Sequence, residues 1–143
     1  MVKYKILWID DDINGPEMMS QYDALKDKGC IITPITNPDQ LQFDTIVLYD
    51  CIILDMYMPT GDNLSFQETR VGSRTGFVLL KKIKKEFPNA KVVVFSVSDI
   101  PDVRKYCNEN SVEYWVKSHY LADKFANKII NYIELNRKRN RNK

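Results

Sequence analysis

Residues 52–59 read Ile-Ile-Leu-Asp-Met-Tyr-Met-Pro, an apolar run that ends in one carboxylate, Asp55. Cys51 precedes the run and extends it without adding a charge. A short, uninterrupted apolar run is typical of a strand buried on both faces of a parallel sheet. A carboxylate directly after such a strand is expected at the carboxyl edge of the sheet, where open α/β folds place their ligand sites.

Similar short apolar runs occur on both sides of this strand, and segments with helical spacing alternate with them. The predicted strands are residues 5–9, 31–35, 51–54, 91–95 and 113–116. The predicted helices are residues 16–28, 38–47, 76–87, 101–110 and 119–137. Five strands that alternate with five helices predict a doubly wound (βα)5 α/β sandwich around a five-stranded parallel sheet with right-handed crossovers.

Polar side chains stand at the ends of four predicted strands. Asp10-Asp11-Asp12 follows the first strand, Asp55 the third, Ser96 the fourth and Lys117 the fifth. Because the carboxyl ends of parallel strands meet at one edge, we expect these side chains to converge although the sequence scatters them.

These side chains have the chemistry of a magnesium and phosphate site. Several carboxylates in one pocket repel each other unless a cation is present, and hard oxygen ligands suit Mg2+. A lysine and a hydroxyl beside the metal can hold phosphate oxygens. Since no activated serine or cysteine is identified, the predicted nucleophile is a carboxylate that forms an aspartyl phosphate.

Four stretches carry a family resemblance: Ile-Leu-Trp-Ile-Asp-Asp-Asp at 6–12, residues 52–59, Val-Val-Phe-Ser at 93–96 and Tyr-Trp-Val-Lys at 114–117. Together they resemble the receiver domain of two-component response regulators, in the right order and over nearly the whole chain. The resemblance implies the chemotaxis-regulator-like fold, with strand order 2-1-3-4-5.

The resemblance also implies roles for single residues. Asp55 is the expected phosphoacceptor, and Asp10 and Asp11 are expected to hold Mg2+ with Asp55 and the backbone carbonyl of Tyr57. Asp11 is expected to be the more direct ligand.

Three further roles follow from the same resemblance. Ser96 is the small hydroxyl expected to follow the phosphate, and Lys117 is expected to pair with a phosphate oxygen. Tyr114 matches the aromatic residue that turns inward when the hydroxyl moves. Pro59 matches the proline of the loop after the acceptor.

A sensor histidine kinase or a histidine phosphotransfer protein is the implied phosphoryl donor. The implied protein is a switch with self-catalysed transfer and slow autodephosphorylation, and not a turnover enzyme. Its output surface is expected on the fourth helix, the fifth strand and the fifth helix, about residues 101–136. A downstream output protein, an output domain or a second copy of the chain is the implied partner there.

The sequence departs from the family pattern in three places. A polar insert occupies residues 60–75, and a lid, a partner-specific surface and a solvated loop all remain open interpretations. Ser118 follows Lys117 where the family has proline, and we expect it to cap the last helix. Val97 is larger than the residue usual after the hydroxyl, so Val97 and Tyr57 are expected to narrow solvent access to Asp55.

Two other functions compete with the phosphorylated switch. A pseudo-receiver would have the same fold and act as a protein-interaction module without phosphorylation. A metal-dependent phosphatase of a related α/β design needs a second acid two residues after its nucleophile, and Tyr57 stands there instead.

Length and charge indicate one domain followed by a basic end. The chain has 143 residues, 44% of them hydrophobic, which suits a single domain with a proper core. We assign residues 1–136 to the receiver domain and 137–143 to a basic flexible tail or linker. That tail carries five positive charges and leaves the remainder at −3. No base-reading element accompanies it, so specific binding to nucleic acid is not expected.

The remaining sequence features predict a cytoplasmic protein. No apolar run approaches the roughly 20 residues that span a bilayer, and the N-terminus reaches its acidic cluster too early for a signal peptide. Cys30, Cys51 and Cys107 are far apart and odd in number, which indicates neither a disulfide framework nor a zinc site.

Overall fold

The computed structural model describes residues 3–58 and 75–141. Apart from Thr75, the predicted insert at 60–75 lies outside the described residues, as does Pro59. No helix of the described part is long and apolar enough to cross a membrane. All three cysteines are buried free thiols.

The predicted parallel sheet is confirmed. Its strands are β1 (Lys5–Ile9), β2 (Ile31–Ile35), β3 (Cys51–Leu54), β4 (Val92–Ser96) and β5 (Glu113–Val116). They pair in the order β2-β1-β3-β4-β5, and every pair is parallel. The carboxyl ends of β1, β3, β4 and β5 therefore lie side by side, which is the arrangement the predicted site requires.

Four α-helices are found in the described residues: α1 (Pro16–Asp27), α2 (Thr75–Glu86), α3 (Pro101–Glu109) and α4 (Ala122–Arg141). The segment predicted as a second helix, residues 38–47, instead forms two short 3-10 helices, Pro38–Gln40 and Phe43–Leu48. The run Thr45-Ile46-Val47 explains part of this, because three successive β-branched side chains lower α-helix propensity.

Ser118 does not cap the last helix, so that prediction is wrong. It lies inside a 3-10 helix, Lys117–His119. The chain then crosses Tyr120 in extended conformation, and α4 begins at Ala122, where the amide of Phe125 donates to the carbonyl of Leu121.

Two apolar layers cover the sheet, one on each face. On one face Leu7, Ile9, Leu54 and Val94 pack with side chains of α2 and α3. On the other face Trp8 and its strand neighbours pack with α1 and α4. The alternation along β1 sends successive side chains to opposite layers, as expected for a strand buried on both faces.

Helix α4 passes the predicted domain boundary at residue 136. Arg137 donates a hydrogen bond to Asp50 at 2.7 Å, and its guanidinium lies 4.7 Å from the ring centre of Tyr4. The helix continues to Arg141. These contacts join the beginning of the 137–143 segment to the rest of the described chain.

Gly76, the second described residue of α2, lies against the chain that follows β3. Its amide donates to the carbonyl of Met56 at 3.1 Å. A Cβ atom at position 76 would overlap the backbone carbonyl of Asp55 and lie 2.5 Å from the Cα of Met56. The absence of a side chain therefore allows α2 to approach the loop that carries Asp55.

We predict that Gly76→Ala lowers the free energy of unfolding by about 1–3 kcal/mol, the cost typical of overpacking. Alanine improves helix propensity by about 1 kcal/mol, but backbone atoms of Asp55 and Met56 cannot yield as a side chain would. Urea unfolding measures the change. Asn108→Ala, at an exposed position of α3, is the control for propensity alone. An unfolding free energy for Gly76→Ala equal to or above wild type would contradict this account of the contact.

Candidate metal and phosphoryl site

Asp10 and Asp11 follow β1 directly and differ in their surroundings. Asp10 is fully buried, whereas Asp11 is exposed. The amide of Asp10 continues the ladder by donating to Ile35, and the Oδ1 atom of Asp10 accepts from the amide of Asp12 at 2.9 Å. Backbone bonds therefore fix Asp10 in place while Asp11 faces solvent.

Asp55 enters the same pocket from β3. Its amide donates to the carbonyl of Ile9 at 2.9 Å, and its side chain is almost completely buried. One carboxylate oxygen from each of Asp10, Asp11 and Asp55 lies within 4.8 Å of the other two. The convergence predicted from the strand ends is thus present in the structure.

Lys117 supplies positive charge to this cluster. Its Nζ atom donates to Asp10 Oδ2 at 2.8 Å and lies 3.5 Å from Asp55 Oδ1. The second distance is too long for an ordinary hydrogen bond, and Asp55 Oδ1 is a buried oxygen with no hydrogen-bond partner. The lysine therefore neutralises the charge of Asp10 more directly than it neutralises that of Asp55, the predicted acceptor.

The electrostatics of the pocket make the carboxyl of Asp55 a weaker acid than an ordinary aspartate, because its pKa is raised. Burial, and then the charge of Asp10, raise the pKa of Asp55 to about 7, while Lys117 opposes the rise. Burial and the charge of Asp10 also raise the pKa of Asp11. Burial alone would lower the pKa of Lys117, but the charges of Asp55 and Asp10 outweigh it and raise that pKa.

Ser96 ends β4 on the same edge of the sheet. Its side chain is fully buried and its hydroxyl has no hydrogen-bond partner. In the β4–β5 register Ser96 stands opposite Val116, the residue before Lys117. An unpaired buried hydroxyl costs free energy, and a phosphate oxygen is an acceptor that would relieve that cost.

Tyr114 is turned inward on β5. Its hydroxyl donates to the carbonyl of Ser98 at 2.6 Å and accepts from the amide of Ile100 at 3.0 Å. The guanidinium of Arg104 lies over the ring, 4.6 Å from its centre, and pairs with Asp99 at 2.7 Å. The ring thus joins β5 to the loop between β4 and α3.

Sequence reasoning did not identify Ser98 as part of the site. Its hydroxyl lies 3.1 Å from the hydroxyl of Tyr57, so the Tyr57 side chain connects the loop after β3 to the loop after β4. Val97 between Ser96 and Ser98 is largely exposed. In the sequence, the only indication of this contact is that Ser98 lies two residues after Ser96. A single serine in a loop is a weak indication of a role.

Comparisons with known proteins bear on the fold. No family model and no curated protein matches this sequence. Among solved structures, a CheY-like response regulator receiver domain protein from Methanospirillum hungatei JF-1 has a TM-score of 0.72 at 15% identity, covering 96% of this chain and 99% of that one. The Francisella response regulator 1452 receiver domain has a TM-score of 0.64 at 21% identity, covering 96% and 98%.

A longer protein shows the same likeness over part of its length. NtrX from Brucella abortus, in a complex with ATP, has a TM-score of 0.70 at 19% identity, and the match covers 96% of this chain but 28% of NtrX. The sheet order, the layered helices and these likenesses agree with one another. The chain therefore has the fold of the response-regulator receiver domains, CheY-like in its topology.

Proposed function

We propose that this chain is a receiver domain that accepts a phosphoryl group on Asp55 and changes its surface in response. The observation that carries the proposal is the buried Asp55 carboxylate, whose unpaired Oδ1 atom lies beside two further carboxylates and the ammonium of Lys117. A carboxylate with those neighbours is suited to nucleophilic attack on phosphorus.

In the proposed reaction a carboxylate oxygen of Asp55 attacks the phosphorus atom of a phosphohistidine. The donor is a sensor histidine kinase or a histidine phosphotransfer protein. The O–P bond forms as the P–N bond breaks, and the imidazole leaves after taking a proton from water. Later attack of water on phosphorus returns inorganic phosphate and the free carboxylate, so the protein is a slow self-resetting switch in the cytoplasm and not a turnover enzyme.

The carboxylate cluster fits a hard divalent cation, and Mg2+ is the proposed one. Asp10, Asp11 and Asp55 would hold it, with the backbone carbonyl of Tyr57 as a further ligand. When bound, Mg2+ supplies positive charge that offsets the charge on the oxygens of the transferred group.

Lys117 would offset the negative charge of the site that Mg2+ leaves unbalanced. It lies within 4 Å of both Asp10 and Asp55, so a small movement of its flexible stem shifts its contact from one to the other. The phosphoryl group carries about −1.5 to −2 charge units, by analogy with other phosphorylated side chains, and it replaces the single negative charge of the carboxylate. Transfer of the ammonium from Asp10 towards the phosphoryl oxygens would offset part of that charge.

Ser96 and Tyr114 are the proposed link to the surface. The Ser96 hydroxyl can donate to a phosphoryl oxygen, and Tyr114 already contacts the loop that follows Ser96. The proposed output face consists of α3, β5 and α4. It would meet a downstream protein, an output domain or a second copy of this chain.

One observation favours the second candidate, a pseudo-receiver that acts as an interaction module without phosphorylation. The Tyr114 hydroxyl is already bonded to Ser98 and Ile100 in the unmodified protein, so the output face has a defined shape without a phosphoryl group. The two candidates differ in whether Asp55 takes up phosphoryl groups, and the first prediction below separates them.

We predict that Asp55→Asn abolishes phosphoryl uptake from phosphoramidate in the presence of Mg2+, because the amide is not a nucleophile for phosphorus. Intact-mass spectrometry measures uptake, and release by hydroxylamine identifies the acyl phosphate. Asp44→Asn, at an exposed position outside the pocket, is the matched control and should be labelled as wild type. Undiminished labelling of the Asp55 variant would refute the acceptor assignment, whereas no labelling of wild type would favour the pseudo-receiver.

We predict that Asp11→Ala lowers Mg2+ affinity at least tenfold, about 1.4 kcal/mol, because it removes the exposed carboxylate of the cluster. Isothermal titration calorimetry of both proteins measures the change. Asp12→Ala is the control, since Asp12 neighbours the cluster without being part of it. Equal affinities for wild type and Asp11→Ala would remove Asp11 from the metal site.

We predict that Mg2+ with beryllofluoride, which mimics the phosphoryl group, shifts amide NMR signals at Ser96, at residues 99–106 and at Tyr114. Ser96→Ala should retain binding at Asp55 but lose the distant shifts, because the hydroxyl is the proposed connection. Tyr114→Phe should reduce the shifts at residues 98–100 by removing the hydroxyl bonded there. Shifts confined to the pocket and residues 60–75 would instead make that insert the output surface.

A further inference from the structure

A second cavity lies at the opposite edge of the sheet, beside the amino ends of β3 and β4. Its volume is about 340 Å³. The buried side chains of Ile46 and Ile133 contribute to its lining, and Tyr49, Phe87 and the exposed Val47 complete an apolar wall. A concave, mainly apolar space of this size with a few polar groups at its rim is typical of a small-molecule site. None of the residues that bind the proposed phosphoryl group lines it.

Two charged residues at the rim, Arg137 and Asp50, already pair with each other. Arg137 donates to Asp50 Oδ1 at 2.7 Å, and Asp50 Oδ2 accepts from the amide of Lys5 at 2.8 Å. The guanidinium also lies over the ring of Tyr4. Arg137 and Asp50 therefore form a fixed, nearly neutral wall, and neither has a free charge to offer.

Lys91 is different. It lines the cavity just before β4, and its ammonium makes no ion pair or side-chain hydrogen bond with any residue in 3–58 or 75–141. Lys84, which does not line the cavity, is a neighbouring cation. Lys84 donates to the carbonyls of Pro88 and Ala90, and burial together with the charge of Lys91 lowers the pKa of Lys84. Lys91 is therefore a cation of the cavity lining that pairs with no carboxylate in the described part of the chain.

We propose that this cavity binds a small organic carboxylate with a compact apolar body. The apolar body would contact Ile46, Phe87 and Ile133, and the carboxylate would pair with Lys91. Charge complementarity selects the anion, because the unbalanced charge at the rim is positive, and the volume limits the body to roughly one ring or one short alkyl chain.

The position of the cavity predicts that binding does not need the carboxylate of Asp55. Its walls come from the 3-10 helix Phe43–Leu48, the chain between α2 and β4 and the second half of α4, all at the edge opposite Asp55. Binding should therefore occur equally in wild type and in Asp55→Asn, and this separates the site from the proposed switch.

The experiment is an amide NMR titration of the whole chain with 4-phenylbutyrate, compared with 4-phenylbutylamine and with acetate. We expect saturable shifts at residues 46–50, 87–91 and 133–137 with phenylbutyrate only. The amine has the same apolar body with the opposite charge, and acetate has the charge without the body.

Three variants test the assignment by residue. Lys91→Gln should weaken binding of phenylbutyrate at least tenfold, and the matched control Lys105→Gln, at an exposed site on α3, should leave it unchanged. Val47→Trp should fill the mouth of the cavity and abolish binding. Val47 is exposed, so this variant is expected to fold, and its amide spectrum and melting temperature check that.

Five results would each overturn the proposal. The first three are saturable shifts confined to another part of the chain, equal binding of the amine and the carboxylate, and equal effects of Lys91→Gln and Lys105→Gln. The other two are no saturable shift at all and retained binding in a folded Val47→Trp protein, which would place the ligand elsewhere.

Discussion

Mutual repulsion among Asp10, Asp11 and Asp55 is the constraint on which the site depends. Two of these carboxylates are buried, where charge is poorly screened and costly to leave unpaired. Within the described chain, Lys117 is the only cation within 4 Å of Asp10 or Asp55. One lysine cannot balance three carboxylates, and the pKa of Asp55 is raised first by its burial and then by the charge of Asp10. A site with this surplus of negative charge is poised to take up positive charge from solution.

The fold holds the repelling groups together through backbone bonds rather than through contacts among the side chains. The amides of Asp10 and Asp55 donate to the carbonyls of Ile35 and Ile9, which extends the parallel ladder by one residue past each strand. Helix α2 packs closely against the backbone of Asp55 and Met56, because Gly76 has no side chain. Backbone hydrogen bonds on one side and close helix packing on the other keep Asp55 near Asp10 in spite of the electrostatic cost.

The sequence permits most of the sheet and the charged part of the site to be predicted, because both follow from short-range pattern. Apolar runs mark the strands, and a parallel sheet brings their carboxyl ends together. The errors arise where neighbouring residues do not decide the outcome. Ser118 has the side chain of a cap, but the chain delays α4 until Ala122. Three contacts join segments that are far apart in sequence. They are the hydrogen bond between Tyr57 and Ser98, the hydrogen bond from Arg137 to Asp50, and the packing of Gly76 against Asp55 and Met56. Periodicity contains no information about such contacts.

The two tryptophans give this chain a pair of built-in optical reporters with different surroundings. Trp8 is fully buried and lies against Tyr22, Phe95 and Phe125 in the layer beneath α1 and α4. Trp115 follows Tyr114 on β5, and the ammonium of Lys128 lies 4.8 Å from its ring centre. A nearby cation perturbs the excited state of indole, so any movement of α4 relative to β5 alters the emission of Trp115. Emission from Trp8 instead follows the integrity of the core, and substituting either tryptophan with phenylalanine would separate the two signals.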